Sequence, residues 1–244
     1  MKVSLASLTF LAAIQFLGLC SNAAAHYLWV KAEAKPGEHG TAHVYYEEGP
    51  APGDGQYLDP FVQRGTTWIR TVKSSQPTLL KMAETKLPGK RWLSAELPAA
   101  GPRSIDSYGK WGVYRYGNTD VLLHYYARFL DAQDHDDLHE LARAEQMALD
   151  IVAHDNKEGV RLTVLWQGEP AAGRQVIVRG PKGAKTATLT TDESGKVSYK
   201  VEVKGIYSFR TNIEEKKGGK DDDKEYQLTR HHGSLTMQLP LGGP

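Results

Sequence analysis

Between Tyr27 and Leu239 the chain is a succession of short runs rich in Tyr, Trp and Val, each cut off by Gly or Pro before it grows longer than a strand. Aromatic and β-branched side chains crowd a helix but pack well on a pleated surface. Tyr27 to Val30, Thr41 to Glu48, Thr67 to Val72, Trp111 to Tyr116 and Val121 to Phe129 therefore read as strands. Gly49-Pro50-Ala51-Pro52-Gly53-Asp54-Gly55 reads as a surface loop, because Pro removes donors and Gly favours unusual dihedrals. Only Asp134 to Met147 has helical character, with Asp134 as N-cap and Leu138, Leu141, Ala142 and Ala148 at helix-like spacing.

From about Asp150 the runs become more regular. Val160 to Trp166, Gln175 to Arg179, Ala187 to Thr191, Lys196 to Val203, Ile206 to Thr211, Tyr226 to Arg230 and Ser234 to Leu239 form a series of short strands separated by turns such as Asp192-Glu193-Ser194-Gly195. That density of alternating strands predicts an immunoglobulin-like sandwich over 158–240. The polar run Glu214 to Glu225 is most simply a solvated hairpin tip. The expected architecture is all-β: two β-sandwich domains, 26–149 and 158–240, meeting near 149–158, with one short peripheral helix.

Thirty Lys and Arg face 29 Asp and Glu, a formal charge of +1 over 244 residues. No global field is available to hold a polyanion, which argues against nucleic acid as a partner. Residues 1–25 read as a secretory signal peptide: Lys2 is the positive start, Leu8 to Leu19 the apolar stretch, and Ala23-Ala24-Ala25 a small-residue cleavage site. The apolar stretch is too short to span a bilayer, which takes about 20 residues. Lipidation at Cys20 is disfavoured by the bulky Leu19 before it. The reading is thus a periplasmic or secreted protein, with no membrane insertion once the signal is gone. Its lone cysteine would leave with the signal, so a hydrophobic core or a bound ligand must stabilise it. The mature chain would begin at His26.

Familiar catalytic patterns are missing. Gly180 to Thr186 superficially resembles a phosphate loop, but Ala184 replaces the glycine before the lysine and strands flank it. There is no G-x-S-x-G elbow, no H-E-x-x-H and no cysteine-rich zinc pattern. Nine histidines remain. A histidine at a free N-terminus can close a chelate ring through its α-amino nitrogen and Nδ1, an arrangement suited to copper or nickel. His231 and His232, adjacent in a strand, must point to opposite faces, so one could reach a site while the other does not. Strand alternation likewise places either Glu47 or Glu48 inward, not both. His135 and His139 sit among acids on a solvated helical face, His43 shares a strand face with Tyr45 and Glu47, and His39, His124 and His154 are lone residues that carry no further signal by themselves.

The start His26-Tyr27-Leu28-Trp29-Val30, the strand Val44-Tyr45-Tyr46-Glu47-Glu48, the stretch from Trp111-Gly112-Val113-Tyr114 to His124-Tyr125-Tyr126-Ala127-Arg128, and Arg230-His231-His232-Gly233-Ser234-Leu235-Thr236 resemble, in order and spacing, one exported family. It is the family described as nickel uptake or cobalt transport periplasmic components. The resemblance covers nearly the whole mature chain. It implies two β-rich domains, a processed N-terminal histidine and a divalent transition metal. Carried over, the first histidine is His26, the strand-end acid is Glu48, and the arginine-histidine pair is Arg230-His231. This chain departs from the pattern at His124, where relatives carry lysine, and at His232, often an aromatic; both changes add imidazole.

The functional expectation is a periplasmic protein that captures nickel, cobalt or copper at His26, His231 and Glu48, with His124 or His232 as additions, and buffers it or passes it to a membrane transporter. It is expected to be a binder and not an enzyme. Two alternatives stand beside it: a copper oxidase using the same N-terminal chelate near Tyr125 or Tyr126, which needs a flat aromatic substrate face, and a surface interaction module in which the histidines are incidental.

Overall fold

The computed structural model describes residues 26–34, 39–74 and 76–241; residues 1–25, expected to be a signal peptide, lie outside them. Along the chain run β1 (Tyr27–Glu33), β2 (Thr41–Glu47), α1 (Asp59–Arg64), β3 (Thr66–Thr71), β4 (Thr78–Leu80), β5 (Ala83–Leu87), β6 (Lys90–Glu96), β7 (Arg103–Tyr116) and β8 (Thr119–Asp131). After α2 (His135–Leu141) come β9 (Leu149–Asn156), β10 (Gly159–Trp166), β11 (Glu169–Pro170), β12 (Gln175–Arg179), β13 (Ala187–Thr190), β14 (Lys196–Lys200) and β15 (Gly205–Glu215). The series ends with β16 (Gly219–Asp221), β17 (Lys224–Tyr226) and β18 (Leu228–Leu239). The fold is all-β, as the strand pattern predicts.

Three layers stack. A central eight-stranded sheet has the order β13-β12-β15-β18-β8-β7-β3-β4; β1-β2-β6-β5 covers one face and β9, β10, β11 and β14 cover part of the other. Alternation along β8 shows why. Val121, Leu123, Tyr125, Ala127 and Phe129 pack with Leu28, Val30, Val44 and Tyr46 of the first outer sheet. Tyr126 and Leu130, between them, pack instead with Ile151, Leu162, Val164, Phe209 and Leu235 in the immunoglobulin-like sandwich. A strand buried on both faces reads as a nearly continuous apolar run, which is how β8 reads.

The two halves are joined where β18 pairs in parallel with β8, from Leu228 against Val121 to Met237 against Leu130. The stretch expected as the interdomain boundary is β9, paired with β10 along its whole length. Tyr226 to Arg230 and Ser234 to Leu239, expected as two strands, belong to the end of β17 and the single long strand β18, because Gly233 lies flush between Thr211 and Tyr126 without breaking the ladder. The polar run forms the β16–β17 hairpin. It is pinned by Lys110 to Asp221 and by Arg64 Nη1 to Asp222 Oδ2 at 2.6 Å.

The helix expected over 134–147 stops at Leu141. Asp134 caps it by accepting from Asp137 N at 2.9 Å, and Leu138 and Leu141 are buried. Beyond it the backbone turns to other work: Ala142 O accepts from Arg128, and Ala144 N donates to Asp150 Oδ2 at 3.0 Å. Arg128 is 2% exposed, with Nε 2.8 Å from Asp106 Oδ1 and Nη1 3.1 Å from Asp150 Oδ1. This buried triad ties β7, β8 and β9 together. Removing the cation strands two carboxylates in a dry interior, at a cost of about 3–5 kcal/mol. Arg128→Met is therefore expected to lower the urea unfolding midpoint by an amount equivalent to about 3–5 kcal/mol, with little change in slope.

Candidate functional site

The parallel register sets His231 beside His124 and His232 beside Tyr125. Neighbours on a strand face opposite ways, so β18 sends the two histidines into different layers.

His232 turns toward the first outer sheet. Its ring stacks on Tyr125 with centroids 4.7 Å apart and 11° between planes, and meets Tyr27 edge-on at 5.0 Å. It is 5% exposed, and both ring nitrogens are buried without a hydrogen-bond partner among the described residues. Burial, then the nearby Arg230, His231 and Arg210, push its proton affinity down to about 3. The imidazole is neutral at any physiological pH, with a lone pair that nothing in the fold uses.

His26 shares a cleft of about 460 Å³ with His232. Its ring lies 5.6 Å from those of Tyr46 and Tyr57, and Nε2 is 3.9 Å from Glu47 Oε2. Glu47, not Glu48, is the acid at the strand end that approaches His26. Its carboxylate accepts from Gly55 N at 3.2 Å and is covered by Gly53, where a Cβ would collide with it, so the Gly/Pro loop folds back over this side chain. Burial raises the Glu47 pKa, opposed by Gly55 N and His26. Glu48 lies beyond the end of β2, exposed, its carbonyl accepting from Arg179 at 3.4 Å.

Behind the cleft, Tyr46 OH donates to Tyr125 OH at 2.8 Å, and Phe61 of α1 packs on both rings. Gly109 lets Phe61 in, since a Cβ there would strike its ring. The mouth is lined by Tyr57, Trp111, Tyr114 and Tyr116, three of them 39–42% exposed. The β7–β8 register shifts between Lys110 and Gly112, leaving Trp111 in a bulge that turns it toward the mouth. Trp111 and Tyr114 stand at 72° to each other and Tyr114 and Tyr116 at 62°, so the mouth is angular and not a flat platform.

His231 occupies the opposite layer and does not join His26. Its Nε2 is 3.1 Å from Glu215 Oε2, its Nδ1 3.2 Å from Tyr126 OH, and its ring stacks on His124 at 5.0 Å. His124 Nδ1 in turn meets Tyr108 OH at 2.9 Å. The set expected at one centre is thus split in two, His26 and His232 on one side of the central sheet and His124 and His231 on the other. The physical reason is the alternation that makes adjacent histidines diverge. Of the two acids left open at the strand end it is Glu47 that faces the cleft, and Tyr125, considered only beside a copper oxidase, stacks on His232; Tyr46 was missed, although the two-residue period of β2 puts it on the buried face.

Elsewhere, a larger and more open depression of about 630 Å³ near His135 is lined by no unpaired buried group among the described residues, and His135 is already engaged by Asp155 at 2.8 Å. No family model and no curated protein matches the chain. Among solved structures it is similar to the FN1–FN3 domains of chicken CNTN1 (10% identity over 86% of this chain and 66% of that one, TM-score 0.21). It is also similar to a pullulanase from Anoxybacillus sp. LM18-11 complexed with maltotriose (12% identity, 76% and 24% covered, TM-score 0.19).

Burial lowers His124 to about 4 and His232 to about 3, below the ordinary histidine value of 6.5. Groups held neutral in the fold take up protons on unfolding, so stability is intact above 6.5 and falls as pH drops from there toward 4. Melting temperature measured from pH 7.5 to 4.5 is expected to decline through that window, and less steeply in His124→Gln.

Proposed function

We propose that the cleft binds a divalent transition metal, nickel, cobalt or copper, through the nitrogens of His26 and His232. The observation that carries this reading is the pair of unpartnered, buried ring nitrogens on His232, in the wall of the cleft that His26 also lines. A buried polar atom left unsatisfied costs about 1–3 kcal/mol, and a metal–nitrogen bond would offset it. Because the His232 imidazole is neutral at neutral pH, one of its ring nitrogens carries a free lone pair from which a metal need displace no proton.

Among the described residues no group of three or more His, Cys, Asp or Glu side chains could hold a metal ion. Side chains alone therefore do not complete the site. The missing donor is the α-amine of His26, which exists only after the preceding segment is removed, and Glu47 is the acid within reach. An exported protein with such a site would capture metal and hold it, or release it to a membrane transporter. A copper oxidase would draw on the same nitrogens with Tyr125 stacked beside them; its tilted mouth offers no flat face to a polymeric substrate.

His232→Phe keeps the ring stacked on Tyr125 and removes both orphaned nitrogens. It is expected to raise stability by about 1 kcal/mol while weakening Ni(II) and Cu(II) binding at least tenfold in calorimetric titration. One alanine inserted before His26, confirmed by intact mass, is expected to weaken binding as much with no change in melting temperature. Unchanged affinity in both variants would make the protein an interaction module, and peroxide formed from the copper-loaded protein under reductant would make it an oxidase.

A further inference from the structure

Among the described residues, the large apolar side chains that stand exposed fall in two groups: Tyr57, Tyr114 and Tyr116 at the cleft mouth, and Val62, Leu79 and Leu87 where two sheet layers end together. There the first outer sheet stops at β5 and the central sheet at β4, each paired on one side only. Lys81 and Met82 alone connect these strands, so their edges lie one above the other at about the 10 Å spacing of packed sheets. Between them opens a groove of about 380 Å³, walled in part by Phe61, Val62, Leu79, Leu80 and Met82.

The hydrogen-bonding phase of β5 follows from its turn. Leu87 pairs with Lys90 across Pro88 and Gly89, and residues this close can pair only by exchanging both backbone bonds. Alternation makes Thr85–Trp92 and Ala83–Ser94 the other bonded pairs, which leaves the N–H and C=O of Glu84 and Lys86 pointing away from β6. Such an edge is a template for another strand. Glu84 and Lys86 also share one face of β5, opposite Leu93 and Arg91 of β6. Within the chain Lys86 reaches back to Glu84, which Arg91 also holds.

We propose that β5 is the contact between two copies of this chain, paired antiparallel about Thr85 so that Glu84 of each copy meets Lys86 of the other. The residues with free backbone groups then face each other, each such pair exchanges two bonds, and opposite charges stand directly across the new ladder. Ala83 lies opposite Leu87, which is 58% exposed in the single chain. Moving the register by two residues would set Glu84 against Glu84 or Lys86 against Lys86, which disfavours the alternatives. The contact is isologous, and its two-fold axis brings the β4 edges to the same seam, where Leu79 and Val62 of each copy cover the groove. A second copy fits better than an unrelated strand, because an edge lysine discourages pairing unless an acid waits at that one position, and the chain's own β5 supplies it.

The test is sedimentation velocity on protein produced from the full-length gene, over about 1–100 μM, where a monomer–dimer equilibrium is expected. Lys86→Glu and Glu84→Lys each set like charges at both contacts and should raise the dimer Kd at least tenfold. Mixed in equal amounts, the two variants carry opposite charges at both contacts and should regain the dimer. Amide exchange gives an independent readout: the N–H groups of Glu84 and Lys86 should gain protection as concentration rises, while that of Thr85, already bonded to β6, should not. Lys86→Glu and the exchange pattern decide the question by themselves should Glu84→Lys, which also loses Arg91, fail to fold. A wild-type chain that stays monomeric, variants that dimerise as tightly as wild type, or a mixture of folded variants that stays monomeric overturns the proposal. Protection of the Glu84 and Lys86 amides that does not depend on concentration means that another segment of the chain covers the edge, and overturns it as well.

Discussion

Everything in the candidate site depends on the parallel pairing of β18 with β8. That ladder makes one central sheet out of two halves of the chain, and its register decides which histidine meets which layer. A slip of one residue would exchange the faces, sending His231 toward His26 and burying His232 among the aliphatic side chains of the sandwich. Two features hold the register: the buried Arg128 triad anchors β8 to β7 and β9, and Ser234 Oγ donates to Leu28 O at 2.5 Å, tying β18 to the strand that begins next to His26.

The same geometry explains the chemistry of the two histidine pairs. On the sandwich side each imidazole has hydrogen-bond partners, Tyr108 for His124 and Tyr126 and Glu215 for His231, so that pair is satisfied without a ligand. On the other side His232 is packed by aromatic faces that exclude water and offer no partner. The contrast arises from what surrounds the rings and not from the residue type.

Much of the fold was legible in the sequence because strand alternation is a local signal. The all-β class, the Gly/Pro loop, the hairpin tip at 219–226 and the Asp134 cap all follow from residues next to one another. What escaped was set by distant partners. The helix after Asp134 ends early because Arg128 and Asp150 claim its next backbone groups, and α1 forms around Phe61, whose partners Tyr46 and Tyr125 lie far away in sequence. That His231 and His232 diverge was readable from the strand period. Which of them faces His26 was not, since that depends on a pairing partner more than a hundred residues earlier.

The chain order of that pairing bears on how the protein comes to be folded. Tyr126 and His231 touch across 105 positions of sequence, and the strand carrying His231 follows all the other strands of the central sheet in chain order. The middle of the central sheet therefore stands open, with β8 lacking a neighbour on that side, until β18 is available. Contacts of such long range are slow to form, and an unfilled slot between strands is a place where another chain's strand can enter. Strand β18 must dock before the central sheet can close on itself, which makes that docking the step that separates a monomer from a strand-exchanged aggregate.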